Sequence, residues 1–227
     1  MNNVKQTSII NAIIFKDWYF NKKLIMLFSI LGLASSFLLS FNSITFYIGM
    51  VLLLSIVIII GWVLIANTII NERKKQTLPF LMSLPISYID FTKAKLIFNL
   101  SIYFIVWLLL VATTIGVIVY SQHLPNGLIP LALIILVELM VAFILVLATA
   151  LISESEIWSI VVLSITNVGV SLFIFLIANI KGIHLFIEGP VAIWNSTALT
   201  IIGIELFIGL LIIAITFYLQ SHKKDFI

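Results

Sequence analysis

The chain has 227 residues, of which 63% are hydrophobic and 9% charged, with a formal net charge of +3 and no cysteine. A soluble domain carries roughly a quarter charged residues to wet its surface, so this composition excludes an ordinary soluble domain. The lack of cysteine excludes thiolate metal sites, disulfides and cysteine nucleophiles. The apolar side chains must face lipid, and a backbone in lipid must satisfy its own hydrogen bonds, which leaves helices and closed barrels. Apolar runs of about 18–25 residues without alternating polar positions select helices.

At the N-terminus, Ile9, Ile10, Ile13 and Ile14 share one arc of a helix, with Trp18 at its edge and Lys5 and Lys16 elsewhere. This predicts a helix over residues 1–23 that lies in the membrane interface and turns into the first span. Asp17 interrupts the arc and Phe15 falls outside it, so the competing reading is a basic flank anchored by Trp18 and Tyr19. The first apolar run follows about two dozen polar and mixed residues and precedes no small-residue cleavage site, unlike a secretory signal peptide. Six spans are expected over 24–41, 46–70, 96–120, 128–152, 157–179 and 199–220. Together they make a transmembrane domain over 24–220, with a short tail over 221–227. Each run reaches across about 30 Å of hydrocarbon at 1.5 Å per residue.

The basic residues orient the six spans. With the N-terminus inside, Lys5, Lys16, Lys22, Lys23, Arg73, Lys74, Lys75, Lys93, Lys95, Lys223 and Lys224 all fall on the inner side, and of the 12 Lys and Arg residues only Lys181 falls outside. The positive-inside rule therefore places both termini in the cytoplasm, and an odd number of spans would split these groups.

Among the connections, the inner one between the second and third spans is the longest polar stretch. Asn71, Glu72, Arg73, Lys74, Lys75, Gln76 and Thr77 lead into a short apolar piece bracketed by Pro79 and Pro85, with room for a turn or two of helix. Ser87-x-x-Asp90 then matches a capping box that starts the next helix. A short apolar helix beside a cationic patch reads as a docking element; the plainer reading is a loop whose Leu78, Phe80, Leu81 and Leu84 dip into headgroups. The inner connection Ser153-Glu154-Ser155-Glu156 is very short and acidic. The outer connections at 42–43 and 121–127 are short, whereas 180–198 is long and amphipathic, carries Gly189, Pro190 and Trp194, and reads as a re-entrant or surface-lying element.

Catalytic constellations are missing. There is no G-x-x-x-x-G-K-[ST] loop, and His123, His184 and His222 sit in separate segments with no H-E-x-x-H pair. Glu154 and Glu156 point in different directions on a helix and read as solvated loop charges. An enzyme is not expected. Glu138 near the middle of the fourth span and Glu205 in the outer half of the sixth stand out, because an ionised carboxylate in lipid costs several kcal/mol. Each is expected to line a substrate pathway or to bond a neighbouring helix. Asn67, Thr166 and Asn167 read as interhelical polar contacts.

The segment Glu72-Arg73-Lys74-Lys75-Gln76-Thr77-Leu78-Pro79-Phe80-Leu81-Met82-Ser83-Leu84-Pro85-Ile86-Ser87 resembles the one that follows the second span in ABC-2 type transporter permeases. In that family a Glu-Arg pair leads to Thr-Leu, a Leu-rich turn and Ser-Leu-Pro-Ile-Ser; here Gln76 stands where Gly is common and Pro79 where an acidic residue is common. The resemblance implies an all-α integral membrane protein of the ABC-2 (type V exporter) kind. Its parts would be an N-terminal interfacial helix, six transmembrane helices, a cytoplasmic coupling helix between spans two and three, and an outer re-entrant element. It further implies a permease subunit that forms a homo- or heterodimer in the plasma membrane and pairs with a separate ATPase subunit, which would hold ATP and Mg. This chain itself would bind no cofactor and no nucleic acid. Glu72, Arg73, Thr77, Phe80, Leu81, Leu84 and Pro85 would couple it to the ATPase, and an amphipathic peptide, drug or lipid-like substrate would be exported. The rival readings are a stand-alone secondary transporter or channel using Glu138 and Glu205, and a non-transporting membrane anchor or assembly factor.

The orientation is testable directly. Reporter fusions after His222 and within residues 76–83 should both score cytoplasmic, and a fusion near Ile187 should score external. An external signal from the 76–83 fusion would end the six-span topology.

Overall fold

A computed structural model describes residues 2–74 and 88–222 of the chain. In order, the helices are α1 (Asn2–Leu38), α2 (Ser43–Ile65), a π-helical stretch (Ala66–Ile70), α3 (Asn71–Lys74), α4 (Tyr88–Tyr120), α5 (Leu128–Ser153), α6 (Glu156–Ala178), the single turn α7 (Lys181–His184) and α8 (Ser196–His222). Among the described residues, six helices are long and apolar enough to cross a membrane, namely α1, α2 with its π-helical extension, α4, α5, α6 and α8. The fold class is therefore all-helical, with six span-like helices, as the apolar runs predicted.

Sequence explains most helix ends. Asn42 accepts a hydrogen bond from the Thr45 backbone N–H at 2.9 Å while its own N–H donates to the Thr45 hydroxyl at 3.0 Å, a capping box that starts α2. Glu154 takes the left-handed conformation, φ 58°, and so stops α5. One residue later Ser155 accepts from Trp158 N–H and starts α6. By contrast α1 has no break at residue 23. Its run from Asn2 to Leu38 holds no proline and a single glycine, so nothing interrupts the backbone hydrogen bonds where the interfacial segment was expected to give way to the span.

α5 is the hub. It packs against α8, α6, α4 and α2, while α1 packs against α2 and α4. Accordingly 61% of the apolar stretch of α5 is buried, against 11% for α6 and 17% for α8, whose remaining faces point outward. Tyr103 and Trp107, one turn apart on α4, donate to backbone carbonyls of α5, Tyr103 to Leu139 at 3.3 Å and Trp107 to Leu136 at 2.6 Å. The Tyr103 ring also stacks on Phe143, with centroids 3.8 Å apart.

Two glycines set the approach of α2 to its neighbours. A Cβ at Gly49 would lie 2.9 Å from the Ser35 carbonyl oxygen of α1, and one at Gly61 would lie 2.8 Å from the Phe143 ring. Close backbone approach at small residues is how helices associate where lipid removes the hydrophobic drive between them.

The long connection after α6 folds back on the bundle. Gly127 N–H donates to the Gly189 carbonyl at 2.9 Å and Asn126 to the Pro190 carbonyl at 3.2 Å. Ile183 of α7 meets Ile134, Ile177 and Ala198 in a small apolar cluster. The element foreseen over 180–198 is thus a turn of helix and a strap tied to the starts of α5 and α8.

Gly49→Val should lower the unfolding free energy by about 1–3 kcal/mol, because the obstructing atom is backbone and cannot rotate away. Gly116→Ala, where a Cβ would meet nothing within 4 Å, should be neutral or mildly stabilising. Thermal unfolding of the two variants in detergent measures both. Equal midpoints would show that α1 and α2 do not need their close crossing.

Candidate functional site

The densest group of polar side chains lies at the end of the bundle that carries α3, the start of α4 and the turn between α5 and α6, which we call the basic end. At its centre is Lys95 of α4, whose side chain is fully buried. An ammonium taken out of water costs several kcal/mol unless it is paired and hydrogen-bonded. Here the Lys95 Nζ lies 2.8 Å from Asp17 Oδ2 of α1 and 2.8 Å from Glu72 Oε2 of α3. Glu72 also pairs with Lys16, whose Nζ is 3.5 Å from Asp17 Oδ1. Two cations and two anions therefore close on one another, and the Phe91 ring, one turn from Lys95, lies 5.3 Å from its Nζ.

Two amide chains extend this cluster along the helices. Asn21 donates to the Asp17 carbonyl at 2.8 Å, Asn67 to Asn21 Oδ1 at 3.0 Å, and Asn71 to Asn67 Oδ1 at 3.1 Å. On the other side Asn99 donates to the Lys95 carbonyl at 2.8 Å and meets the Thr68 hydroxyl at 3.0 Å, while Thr68 donates to the Leu64 carbonyl at 2.7 Å. The π-helical stretch and the turn after it supply Asn67, Thr68, Asn71 and Glu72 to both chains. A π-helical insertion re-aims side chains at the end of a helix, which is how one segment serves two neighbours. On the opposite flank of α3, Lys74 and Glu156 of α6 form an exposed ion pair at 2.6 Å, so Glu156 is both solvated and paired.

The placement of the sequence candidates is as follows. Glu72 sits inside the cluster, bound to Lys16 and Lys95 of its own chain. The side chain of Arg73, together with Thr77, Phe80, Leu81, Leu84 and Pro85 and the short helix expected there, lies outside the described residues. Asn67 makes the interhelical contact expected of it, whereas the Thr166 hydroxyl turns back to the Leu163 carbonyl of its own helix at 2.9 Å. Thr166 and Asn167 line a shallow groove with Trp62 and Tyr103. Glu205 is buried in the contact between α8 and α5, and Glu138 is half-buried nearby.

Sequence reading took Asp17 only as a break in the arc, counted Lys95 only among the inner cations, and named Asn67 alone of the asparagine ladder. The signal for Asp17 was present, since a carboxylate on the apolar arc of α1 demands a buried cation. Lys95 carried none, because it counts toward the basic flank of a span like any other lysine.

Toward the opposite end, an apolar cavity of about 220 Å³ lies among α1, α2, α4, α5 and α6, lined by Leu53, Ile118, Leu131, Ile135 and Ile174 among others. Its walls offer shape and no charge. Among the described residues no group of three His, Asp or Glu could hold a metal ion. Comparison with family models, with curated proteins and with solved structures finds no match to the chain.

Lys95→Met removes the cation between two buried carboxylates and should destabilise the fold by about 3–5 kcal/mol. Adding Asp17→Leu should recover most of that loss, because Glu72 keeps Lys16. Unfolding of the single and double variants in detergent checks this, and a single variant as stable as the parent would mean that the cluster contributes nothing.

Proposed function

We propose that the chain is the permease subunit of an ATP-driven exporter, ABC-2 (type V exporter) like, lying in the plasma membrane with both termini in the cytoplasm. Four observations support this reading. Six helices are long and apolar enough to span a bilayer. Eleven of the twelve Lys and Arg residues fall on one side of it. Residues 72–87 resemble the coupling segment of that family. The fourth is the weightiest: Glu72 and Lys95, which flank residues 75–87 on α3 and α4, pair with each other, and Lys95 pairs in turn with Asp17 of α1.

A displacement of the segment by a partner therefore reaches α1 and α4 through buried charges that hold both roots of the loop. The tie between Lys74 and Glu156 extends the same connection to α6. ATP and Mg would be held by the partner ATPase subunit, whose hydrolysis cycle would move the loop. A second permease subunit, identical or not, would meet the outward faces of α6 or α8, which lipid otherwise covers. The substrate class that suits a small chain with an apolar cavity is an amphipathic peptide, drug or lipid-like molecule.

Co-purification tests the reading. A stoichiometric nucleotide-binding subunit should accompany the chain, and Phe80→Ala or Leu81→Asp should reduce complex yield or ATPase stimulation while the permease still inserts. Buried anchors of this kind are each worth more than about 1 kcal/mol. Parent-like assembly and ATPase rates in both variants would reduce residues 75–87 to an interfacial loop. The rival, a stand-alone secondary transporter or channel working through Glu138 and Glu205, predicts flux in vesicles under an imposed proton gradient without ATP. Such flux, lost in Glu138→Gln, would overturn the exporter.

A further inference from the structure

α8 turns an unusual face to α5. Its buried residues are Ala198, Glu205, Gly209, Thr216 and Gln220, a stripe of small and polar side chains at heptad-like spacing with no large apolar member. Thr216 donates to Ile212 of its own helix at 2.7 Å, and Gln220 donates across to the Leu151 carbonyl of α5 at 2.8 Å. Gly209 faces α5: a Cβ there would be in ordinary contact with it, 3.4 Å from Ile144 Cδ1 and 3.6 Å from Val141 Cγ2. These contacts fix a parallel register in which Gln220 stands opposite Leu151 and Gly209 opposite Val141 and Ile144. One turn further on, the same register brings Glu205 to the level of Glu138.

Glu138 lies about 15 Å along α5 from its start and Glu205 about 14 Å along α8, so the pair sits near mid-membrane in a bilayer with a core of about 30 Å. Glu205 is only 4% exposed, and neither of its carboxyl oxygens has a hydrogen-bond partner. Among the described residues, the helices packed against α8 bring no cation to that depth. α5 carries Glu138 there and Glu154 follows its last turn; α4 carries Asp90, Lys93 and Lys95 at the basic end; α7 carries Lys181 and His184 at the other end.

We propose that Glu138 and Glu205 form a proton-binding site enclosed in the contact between α5 and α8. Two like charges at one level in a medium of low dielectric resist being ionised together, and a proton taken up by the pair removes the conflict. A proton suits the surroundings better than a metal ion. The helices commit their backbone carbonyls to their own hydrogen bonds, the facing walls are apolar, and a hard cation such as calcium asks for six or more oxygen ligands. The site does not depend on the exporter reading, since an ATP-driven permease and a gradient-driven carrier could each contain it.

Infrared spectroscopy of the purified protein in lipid vesicles tests the site. At neutral pH the parent chain should show the carbonyl stretch of a protonated carboxyl, and the Glu138→Gln, Glu205→Gln double variant should lack it. Because the double variant could fail to fold, a second measurement uses the parent alone. Dicyclohexylcarbodiimide, an apolar reagent that modifies protonated carboxyls, should label Glu138 or Glu205 at neutral pH about a hundredfold more than exposed Glu188, as read by mass spectrometry of peptides. The absence of a protonated-carboxyl band in the parent would overturn the proposal, as would a band that survives in a folded double variant. Loss of both band and labelling on adding sodium or potassium would overturn it too, by assigning the site to a metal cation.

Discussion

A buried ammonium has nowhere to go but to a carboxylate. Lys95 is fully enclosed, and its two partners come from α1 and α3, so the position of those elements on α4 follows from the electrostatics of one side chain. The same rule operates through the bundle. Tyr103, Trp107 and Gln220 each carry a donor into the apolar interior, and each delivers it to a backbone carbonyl of α5. In a bilayer such bonds are worth about 1 kcal/mol rather than several, because the unfolded helices find partners as well. Their main effect is therefore on register: a helix that slides by one turn loses its acceptor.

The bundle divides into a well-buried part and a more exposed one. α1, α2, α4 and α5 share the larger apolar core, with the stacked Tyr103 and Phe143 rings near its centre. α6 and α8 hold to α5 by one stripe each and turn the rest outward. The α5–α8 contact runs along both helices and is built on the α8 side from small and polar side chains. It is also where the unpartnered Glu205 lies. A change in its charge would alter the contact directly, so binding at this site and the packing of α8 on α5 are linked by the same few atoms.

The basic end combines two physical roles. Under the positive-inside rule its cations would favour the cytoplasmic side, an effect that counts charges and ignores their partners. Lys16 and Lys95 also make short-range pairs that depend entirely on partners. Lys22, in turn, lies 4.5 Å over the Tyr19 ring. Sequence reading addressed the first role, which needs nothing but position along the chain. It missed the second, because Asp17, Glu72 and Lys95 are separated by some twenty to eighty residues and no local pattern marks them as neighbours.

By itself the sequence determined that the protein is helical, how many helices are long enough to span a bilayer, and roughly where each one ends. These properties follow from apolar run length and from local capping groups such as Asn42 with Thr45 and Ser155 with Trp158, which act within one turn of the chain. It also singled out Glu138 and Glu205 as charges in the wrong solvent. Only the tertiary structure decided that α1 runs unbroken into the bundle, that Asp17 on its apolar arc answers Lys95, and that Glu205 is enclosed at the level of Glu138. These facts depend on which helix lies beside which and in what register. In an apolar chain that information resides in a few glycines, amides and charges whose meaning appears only when the partner helix is in place.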